Sequence, residues 1–313
     1  MSQELHVVFG TGAVGTAVIE ELARREKRIR AVNRHGEAPH LPGGVEMKRG
    51  DATDADRCRE LCQDATHVYN CTNPPYDKHV ELFPRLQAGV MAGAAAHDAK
   101  LIMIENVYMY GPTHGVPMTE DTPHNAPTRK GKSRAQLHND LMAAHNAGTV
   151  RAVSGRASDF FGPLGLNSAV GERVFYPALK GDTIQMLGDI DLPHTYSYTP
   201  DIGKGLVILG EHDEALGRAW HLPGPRTVTT REFLTMVMQA TGQECRIQTA
   251  PKFLVRVFGL FNPIMREVVE MVYQFEEPFV LDHSQFAEAF GDISTPLEDA
   301  IEATARWYRE NPQ

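Results

Sequence analysis

The run Gly10-Thr11-Gly12-Ala13-Val14-Gly15 lies between the apolar stretch His6-Val7-Val8-Phe9 and a helical pattern from Ala17 to Arg24. Few folds can be built around a strand that turns on glycines directly into a helix. Gly10 allows the tight turn, Gly12 lets the backbone come close to a ligand, and Gly15 lets the helix pack on the strand. The helix N-terminus then aims unpaired N–H groups at negative charge, which is how a dinucleotide pyrophosphate is held. Glycine turns of this kind also occur without a ligand. Position argues for a ligand in this chain, because the motif follows a strand pattern near the N-terminus, opens a helix and precedes a second strand pattern at 28–33.

A chain of 313 residues can bury one large core, or one core with a smaller lobe. Its net charge of -9 disfavours non-specific nucleic-acid binding, which needs clustered Lys and Arg to neutralise phosphates. No apolar run reaches the ~18 to 20 residues that span a bilayer, and no basic stretch followed by an apolar one opens the chain. No membrane association and a cytoplasmic location are therefore expected. The four cysteines, Cys58, Cys62, Cys71 and Cys245, form no CxxC pair and lack a His at zinc-site spacing, so no metal is expected. Cys58 and Cys62, four apart on a helix pattern, read as packed thiols.

Strands are expected at 5–9, 28–33, 45–48, 66–71, 100–105 and 149–154. Helices near 13–26, 54–63, 77–97 and 129–147 fall between most of them. Such alternation implies an α/β fold, a Rossmann-type doubly wound parallel sheet covered on both faces. The pattern loosens after Arg156. A helix over 201–210 and a strand near 219–222 return to the sheet, and Thr229 with Glu232 forms a capping box that opens a helix over 231–241. The last helix covers 297–309. The expected division is a nucleotide-binding domain at 1–155, completed by segments near 195–223. A small, mixed, interleaved C-terminal substrate lobe takes 156–194 and 224–313. Within it, Phe253 to Phe275 reads as a packed helix pair or as a cover over an apolar substrate.

Further short motifs follow in order: Gly50-Asp51-Ala52-Thr53-Asp54, Cys71-Thr72-Asn73, Tyr110-Gly111-Pro112, Phe161-Gly162-Pro163 and Pro200-Asp201-Ile202. In order and spacing the chain resembles the extended short-chain dehydrogenase/reductases, the group that contains sugar-nucleotide epimerases and dehydratases, over nearly its whole length. The resemblance implies a nicotinamide dinucleotide held by Gly10, Thr11, Gly12, Ala13, Val14 and Gly15, by Asn33 and Arg34, by Asp51 and Ala52 at the adenine, and by Cys71, Thr72, Asn73 and Lys130. It also implies a homodimer through sheet-flanking helices. After the second strand an NAD enzyme usually places Asp or Glu on the ribose hydroxyls. This chain has Asn33-Arg34, and a guanidinium pairs with a 2′-phosphate and stacks on adenine. NADP(H) is therefore expected, with NAD(H) and a merely solvated Arg34 as the alternatives.

The catalytic positions depart from the family. Asn106 stands at the serine place, Lys130 at the tyrosine place and Arg134 at the lysine place. Three explanations compete. Lys130 could be the acid/base, its ammonium disfavoured beside Arg134 and the nicotinamide. Tyr108 could supply the proton, since it aligns with a catalytic carboxylic acid of the dehydratases and, on a strand end, would point the same way as Tyr110. Or neither acts, and the chain is a non-catalytic NADP(H) sensor or scaffold.

Blander roles are also open. Arg129, Lys130, Lys132 and Arg134 oppose the helix macrodipole, which phosphate or ribose binding would explain without catalysis. Asn106 could close a buried hydrogen-bond network, Tyr108 could be packing, and Glu105 could pair with one of these cations.

His194 falls where sugar-nucleotide enzymes usually put an arginine on the substrate diphosphate, and a neutral imidazole makes a poor clamp. Asp159 aligns with a substrate-facing asparagine. His138 and His145 read as surface residues. The function expected is an NADP(H)-dependent oxidoreductase acting on a small, fairly apolar carbonyl, alkene or imine compound. Asn106 would orient that substrate. The runner-up is an epimerase or dehydratase with tightly bound NAD(P).

Overall fold

The computed structural model describes residues 4–250, 267 and 269–313. The first strand, β1 (Leu5–Phe9), is buried at every position and lies in the interior of a seven-stranded sheet. Around it in chain order come α1 (Ala13–Arg24), β2 (Arg28–Asn33), β3 (Glu46–Arg49), α2 (Ala55–Leu61), β4 (His67–Asn70) and α3 (His79–Ala96). Next are β5 (Lys100–Glu105), α4 (Arg129–Asn146) and β6 (Arg151–Arg156). The sequence places these ten elements to within a few residues. Tyr76–Lys78 is a separate 3-10 turn ahead of α3. β6 starts two residues later than expected because a turn closes α4, with Thr149 N–H donating to Ala144 O.

Among the described residues, the helices and strands that follow are β7 (Asp159–Phe161), α5 (Glu172–Lys180), β8 (Ile184–Leu187), β9 (Pro193–His194) and β10 (Tyr196–Tyr198). They continue with α6 (Thr199–Glu211), β11 (Ala219–His221), β12 (Val228–Thr229), α7 (Thr230–Thr241), β13 (Ile247–Ala250), α8 (Ser284–Phe290) and α9 (Leu297–Glu310). The capping box of Thr229 and Glu232 is formed, and it opens α7 one residue earlier than expected.

The large sheet runs β11-β6-β5-β4-β1-β2-β3, parallel throughout. Strand order reverses between β1 and β4, which leaves a crevice beyond their C-terminal ends where open α/β sheets bind ligands. On one face α1 and α6 pack Ile19, Leu22, Leu206 and Val207 with Val8, Tyr69 and Ile102 of the strands. On the other, α2, α3 and α4 pack Leu61, Val90 and Leu141 with Val7, Phe9 and Leu101. Cys58 and Cys62 are fully buried in that second layer, and burial pushes both thiols up to about 12. A separate core joins β7 and β10 to α5, α7 and α9 through Phe161, Phe175, Phe233 and Tyr308.

Of the stretch Phe253 to Phe275, only Glu267 and residues 269–275 are described; the rest lies outside the described residues. Among the described residues, no helix is long and apolar enough to cross a membrane.

Candidate cofactor and substrate site

Gly10 adopts φ +97°, and a Cβ there would come within 2.5 Å of the Cys71 carbonyl oxygen. A Cβ on Gly15 would overlap the Gly10 carbonyl oxygen. Both are therefore required to be glycine by contacts inside the fold. Gly12 differs, because a Cβ there would meet nothing within 4 Å. That open side fits close approach of a ligand. Gly12 caps α1 without any side-chain hydrogen bond, and no acidic residue lies in the first turn. The N–H groups of Ala13 and Val14, in the first turn where helical N–H groups have no intrahelical partner, therefore suit an anion. Thr11 is tied to the second strand by the Asn33 amide, which donates to Thr11 Oγ1 at 2.9 Å.

Asn33 Oδ1 also accepts from the N–H groups of His35 and Gly36. The amide thus shapes the turn after β2 and carries no charge. Beyond it a cleft of about 520 Å³ is lined by Arg34, Arg49, Gly50, Asp51 and Arg57. Arg34 is exposed and makes no ion pair among the described residues, whereas Arg57 is partly engaged by Glu60 and by the Arg49 carbonyl. Asp51 accepts from the Thr53 N–H and hydroxyl, and these bonds, helped by Arg34 and Arg85, hold its carboxyl below the usual range. Ala52 is buried beneath it. At the end of β4, Thr72 is fixed by Asn70 Oδ1, Cys71 is buried against the glycine turn, and Asn73 is exposed.

β5 ends at Glu105, and residues 107–110 form a turn in which Tyr110 N–H donates to Val107 O. Asn106 Oδ1 accepts from Tyr108 N–H at 3.3 Å and so shapes this turn. Because the strand stops before it, Tyr108 and Tyr110 do not share a direction, contrary to the sequence expectation. Tyr108 lies near Tyr76, Asp159 and Arg134. Burial, then Tyr76 and Asp159, push its hydroxyl well above the ordinary tyrosine range. Tyr110 instead enters a buried network. Its hydroxyl accepts from Arg156 Nη1 at 2.6 Å and donates to His221 Nε2 at 2.6 Å, while His221 Nδ1 donates to the Asp282 carbonyl at 2.7 Å. Since that carbonyl can only accept, the His221 proton sits on Nδ1.

Glu105 is the carboxylate of this network; among the described residues it makes no direct ion pair with the cations at 129–134, though its charge supports that of Arg134. Arg156 Nε donates to it at 3.0 Å, and His138 Nδ1 lies 3.2 Å away. Burial alone would raise the Glu105 carboxyl, but Arg156 and His138 hold it down at about 2. His138 and His145 are therefore not surface residues: both are half-buried, and His145 Nδ1 accepts from Ala152 N–H.

Lys130, in the first turn of α4, is 2% exposed, and its Nζ pairs with Glu267 and lies 3.6 Å from Glu270. These carboxylates, together with the Thr128 cap, answer why basic residues occupy this helix N-terminus: Glu267 and Glu270 supply counter-charge to both Arg129 and Lys130. The Lys130 ammonium also lies 4.4 Å from the Tyr76 ring centre. Arg134, one turn on, stacks on Phe83 at 3.6 Å and makes no ion pair among the described residues. Burial lowers it to about 10. Asp159 and His194 are brought together, Oδ2 to Nε2 at 3.0 Å. The His194 ring is 3% exposed and stacks with Tyr196, Phe275 and Phe279.

A family model described as the NAD dependent epimerase/dehydratase family matches residues 7–222. The chain belongs to this family. An uncharacterized protein, y4nL of Sinorhizobium fredii (strain NBRC 101917 / NGR234), is 24% identical over 231 residues, covering 69% of this chain and 63% of that protein. The chain thus matches less than two thirds of that relative's length.

Solved structures share the fold at low identity. A dTDP-glucose 4,6-dehydratase of Streptomyces venezuelae has a TM-score of 0.80, 16% identity, and coverage of 98% of this chain and 97% of its own. An epimerase of Methanothermobacter thermautotrophicus has a TM-score of 0.82 and 16% identity, with coverage of 99% and 93%. A UDP-glucose 4-epimerase of Thermus thermophilus has a TM-score of 0.78 and 18% identity, with coverage of 97% and 99%.

Against the family pattern, the structure adds residues that the sequence did not suggest. Arg49 and Arg57 join Arg34 in the cleft after β2, Tyr76 and Tyr273 lie near Tyr108, and Glu267 and Glu270 pair with Lys130. Membership of this family makes a nicotinamide dinucleotide the cofactor, and the open Gly12 side with the uncapped α1 N-terminus fits one.

Proposed function

We propose that this chain is an NADP(H)-dependent oxidoreductase that reduces a small, fairly apolar carbonyl, alkene or imine compound, with Tyr108 as proton donor. The observation that carries the reading is Tyr108, half-buried in the turn after β5, with Tyr76, Asp159 and Arg134 all close enough to act on its hydroxyl. A phenol whose ionisation is suppressed stays protonated at neutral pH and serves as a donor to an oxygen or nitrogen that gains negative charge. As a base it would be poor, which favours the reducing direction. When bound, the reduced nicotinamide supplies the hydride. Tyr108 delivers the proton to the substrate heteroatom, or to the adjacent carbon of an alkene, and Tyr76 can replenish it. Asn106 orients the substrate through its remaining amide donors. Arg134 lies where the family's lysine holds the nicotinamide ribose, and its positive charge disfavours the cationic oxidised ring relative to the neutral reduced one.

Two features support the choice of cofactor and substrate. Three arginines around the adenine-end cleft, with the neutral Asn33 in place of a carboxylate, suit a 2′-phosphate. His194, enclosed by three rings and paired with Asp159, suits an apolar substrate better than a diphosphate. Consumption of NADPH on addition of a panel of small carbonyl, enone and imine compounds tests the reaction. Absence of turnover across the panel would overturn it.

Arg34→Ala is expected to weaken NADPH binding about 10- to 100-fold, the loss of a charge-assisted phosphate contact, and to leave NADH within about 3-fold. Calorimetric titration of both cofactors checks this. An equal loss for both would remove the 2′-phosphate reading.

The family match favours a second reading, an epimerase or dehydratase whose tightly bound NAD(P) undergoes no net redox change. A cofactor absorbance retained through purification, with no consumption of added NADPH, would favour that reading.

A further inference from the structure

Lys130 fills the place of the family's tyrosine, yet its ammonium is turned to the C-terminal part of the chain. Its Nζ pairs with Glu267 and Glu270, and its own N–H donates to Glu270 Oε1 at 3.0 Å. Arg129 Nη2 reaches the same two carboxylates at 2.8 and 3.5 Å. Further along, Glu277 Oε1 accepts from the N–H groups of Thr113 and His114 at 2.7 and 3.1 Å, just beyond the catalytic turn. Three glutamates of one stretch thus dock on the first turn of α4 and on the loop that follows Tyr108.

Tyr273 lies between the second and third of these glutamates. Its hydroxyl is buried and has no hydrogen-bond partner among the described residues. Burial raises it above the ordinary tyrosine range, with Tyr108 and Asp159 close enough to add to the effect. A buried hydroxyl left unpaired costs about 1–3 kcal/mol, which a phenylalanine in the same place would avoid. A ligand oxygen reaching that hydroxyl beside Tyr108 and Asp159 would remove that cost.

We infer that Tyr273 is a substrate-contacting residue of this site, donating a hydrogen bond to an oxygen of the substrate, and that Lys130 is the positioning residue that anchors the stretch carrying it. The substrate contact rests on the reductase reading above; the anchoring does not. The substrate class narrows accordingly to compounds with an oxygen that can accept from two phenols, Tyr108 and Tyr273. Two such donors on one carbonyl oxygen orient it and take up its developing charge together. Lys130 then supplies no proton. A positive charge fixed between carboxylates serves the anchor, and an arginine would serve it as well.

The test uses the full chain with two readouts. The first is hydrogen exchange without substrate over residues 269–277: Lys130→Met is expected to speed it at least about 10-fold, Lys130→Arg to leave it slow, and Glu267→Gln with Glu270→Gln to match Lys130→Met. The second is steady-state NADPH consumption. Tyr273→Phe is expected to raise KM about 3- to 10-fold, with kcat within about 3-fold and NADPH affinity unchanged, the loss of one neutral hydrogen bond. Unaltered exchange in Lys130→Met would overturn the anchor. An unaltered KM in Tyr273→Phe would overturn the contact, and loss of turnover in Lys130→Arg equal to that in Lys130→Met would make Lys130 the proton donor instead. Because exchange needs no substrate, a wrong reductase assignment would leave the first readout as expected, whereas a wrong anchor would not.

Discussion

Tyr108→Phe is expected to lower NADPH-dependent turnover about 10²- to 10⁴-fold, the range in which a positioned general acid contributes. Cofactor affinity should stay unchanged, because Tyr108 lies beyond β5 and the glycine turn and arginine cleft are elsewhere on the sheet. The substitution keeps the ring and removes only the hydroxyl, so the turn that Asn106 shapes through the Tyr108 N–H survives. The pH dependence should be distinctive. Burial, Tyr76 and Asp159 keep the Tyr108 hydroxyl protonated well above its ordinary range, so reduction should show no loss from tyrosine ionisation between pH 7 and 9. Purified wild type and variant, compared by NADPH absorbance at saturating substrate, decide the matter. A variant as active as wild type would move the donor role away from Tyr108.

A comparably large effect is expected in the stability of the fold at mildly acid pH. Burial holds five histidines below their ordinary 6.5: His6 at about 3, His67 at about 4, His79 at about 3, His124 at about 4 and His221 at about 3. His6 and His67 stack on each other at 4.4 Å, and His221 accepts from Tyr110, so each ring has a structural reason to remain neutral. Below pH 6.5 the unfolded chain binds protons that the folded chain refuses until about pH 3–4. Stability is therefore full above 6.5 and lost as pH falls through that window, by about 1.4 kcal/mol per pH unit for each proton withheld. Glu105 adds to the loss lower down, since its carboxyl is held at about 2 when folded and titrates near 4.5 when unfolded. Asp201, raised by burial, opposes the trend in part. Against a typical ~5–15 kcal/mol of stability, the histidines alone bring the transition above about pH 4. Circular dichroism and tryptophan fluorescence between pH 7 and 4 measure it. His6→Phe, which keeps the ring stack without the titrating nitrogen, should shift the midpoint to lower pH; a native signal persisting to pH 4 in wild type would contradict the burial argument.

Much of this architecture was legible in short stretches of chain. The glycine turn at 10–15, the alternation of strand and helix through Arg156, and the capping box at Thr229 and Glu232 are local codes, readable because backbone geometry and side-chain periodicity act between residues a few positions apart. The position of Arg34 directly after β2 was legible for the same reason, and the structure puts it in a cleft with Arg49 and Arg57. Tertiary structure alone decided the surroundings of the catalytic positions. Lys130 meets Glu267 across 137 residues of chain, and Glu105 meets Arg156 across 51. Nothing in local periodicity encodes such a meeting. The side chains of Tyr108 and Tyr110 diverge because β5 ends at Glu105, two residues before the turn, and helices, strands and turns exchange terminal residues at little cost. The sequence determined the cofactor frame because that frame is built from consecutive residues. The tertiary structure decided which charges lie beside Tyr108 and Lys130, because that depends on where distant segments of the chain come to rest.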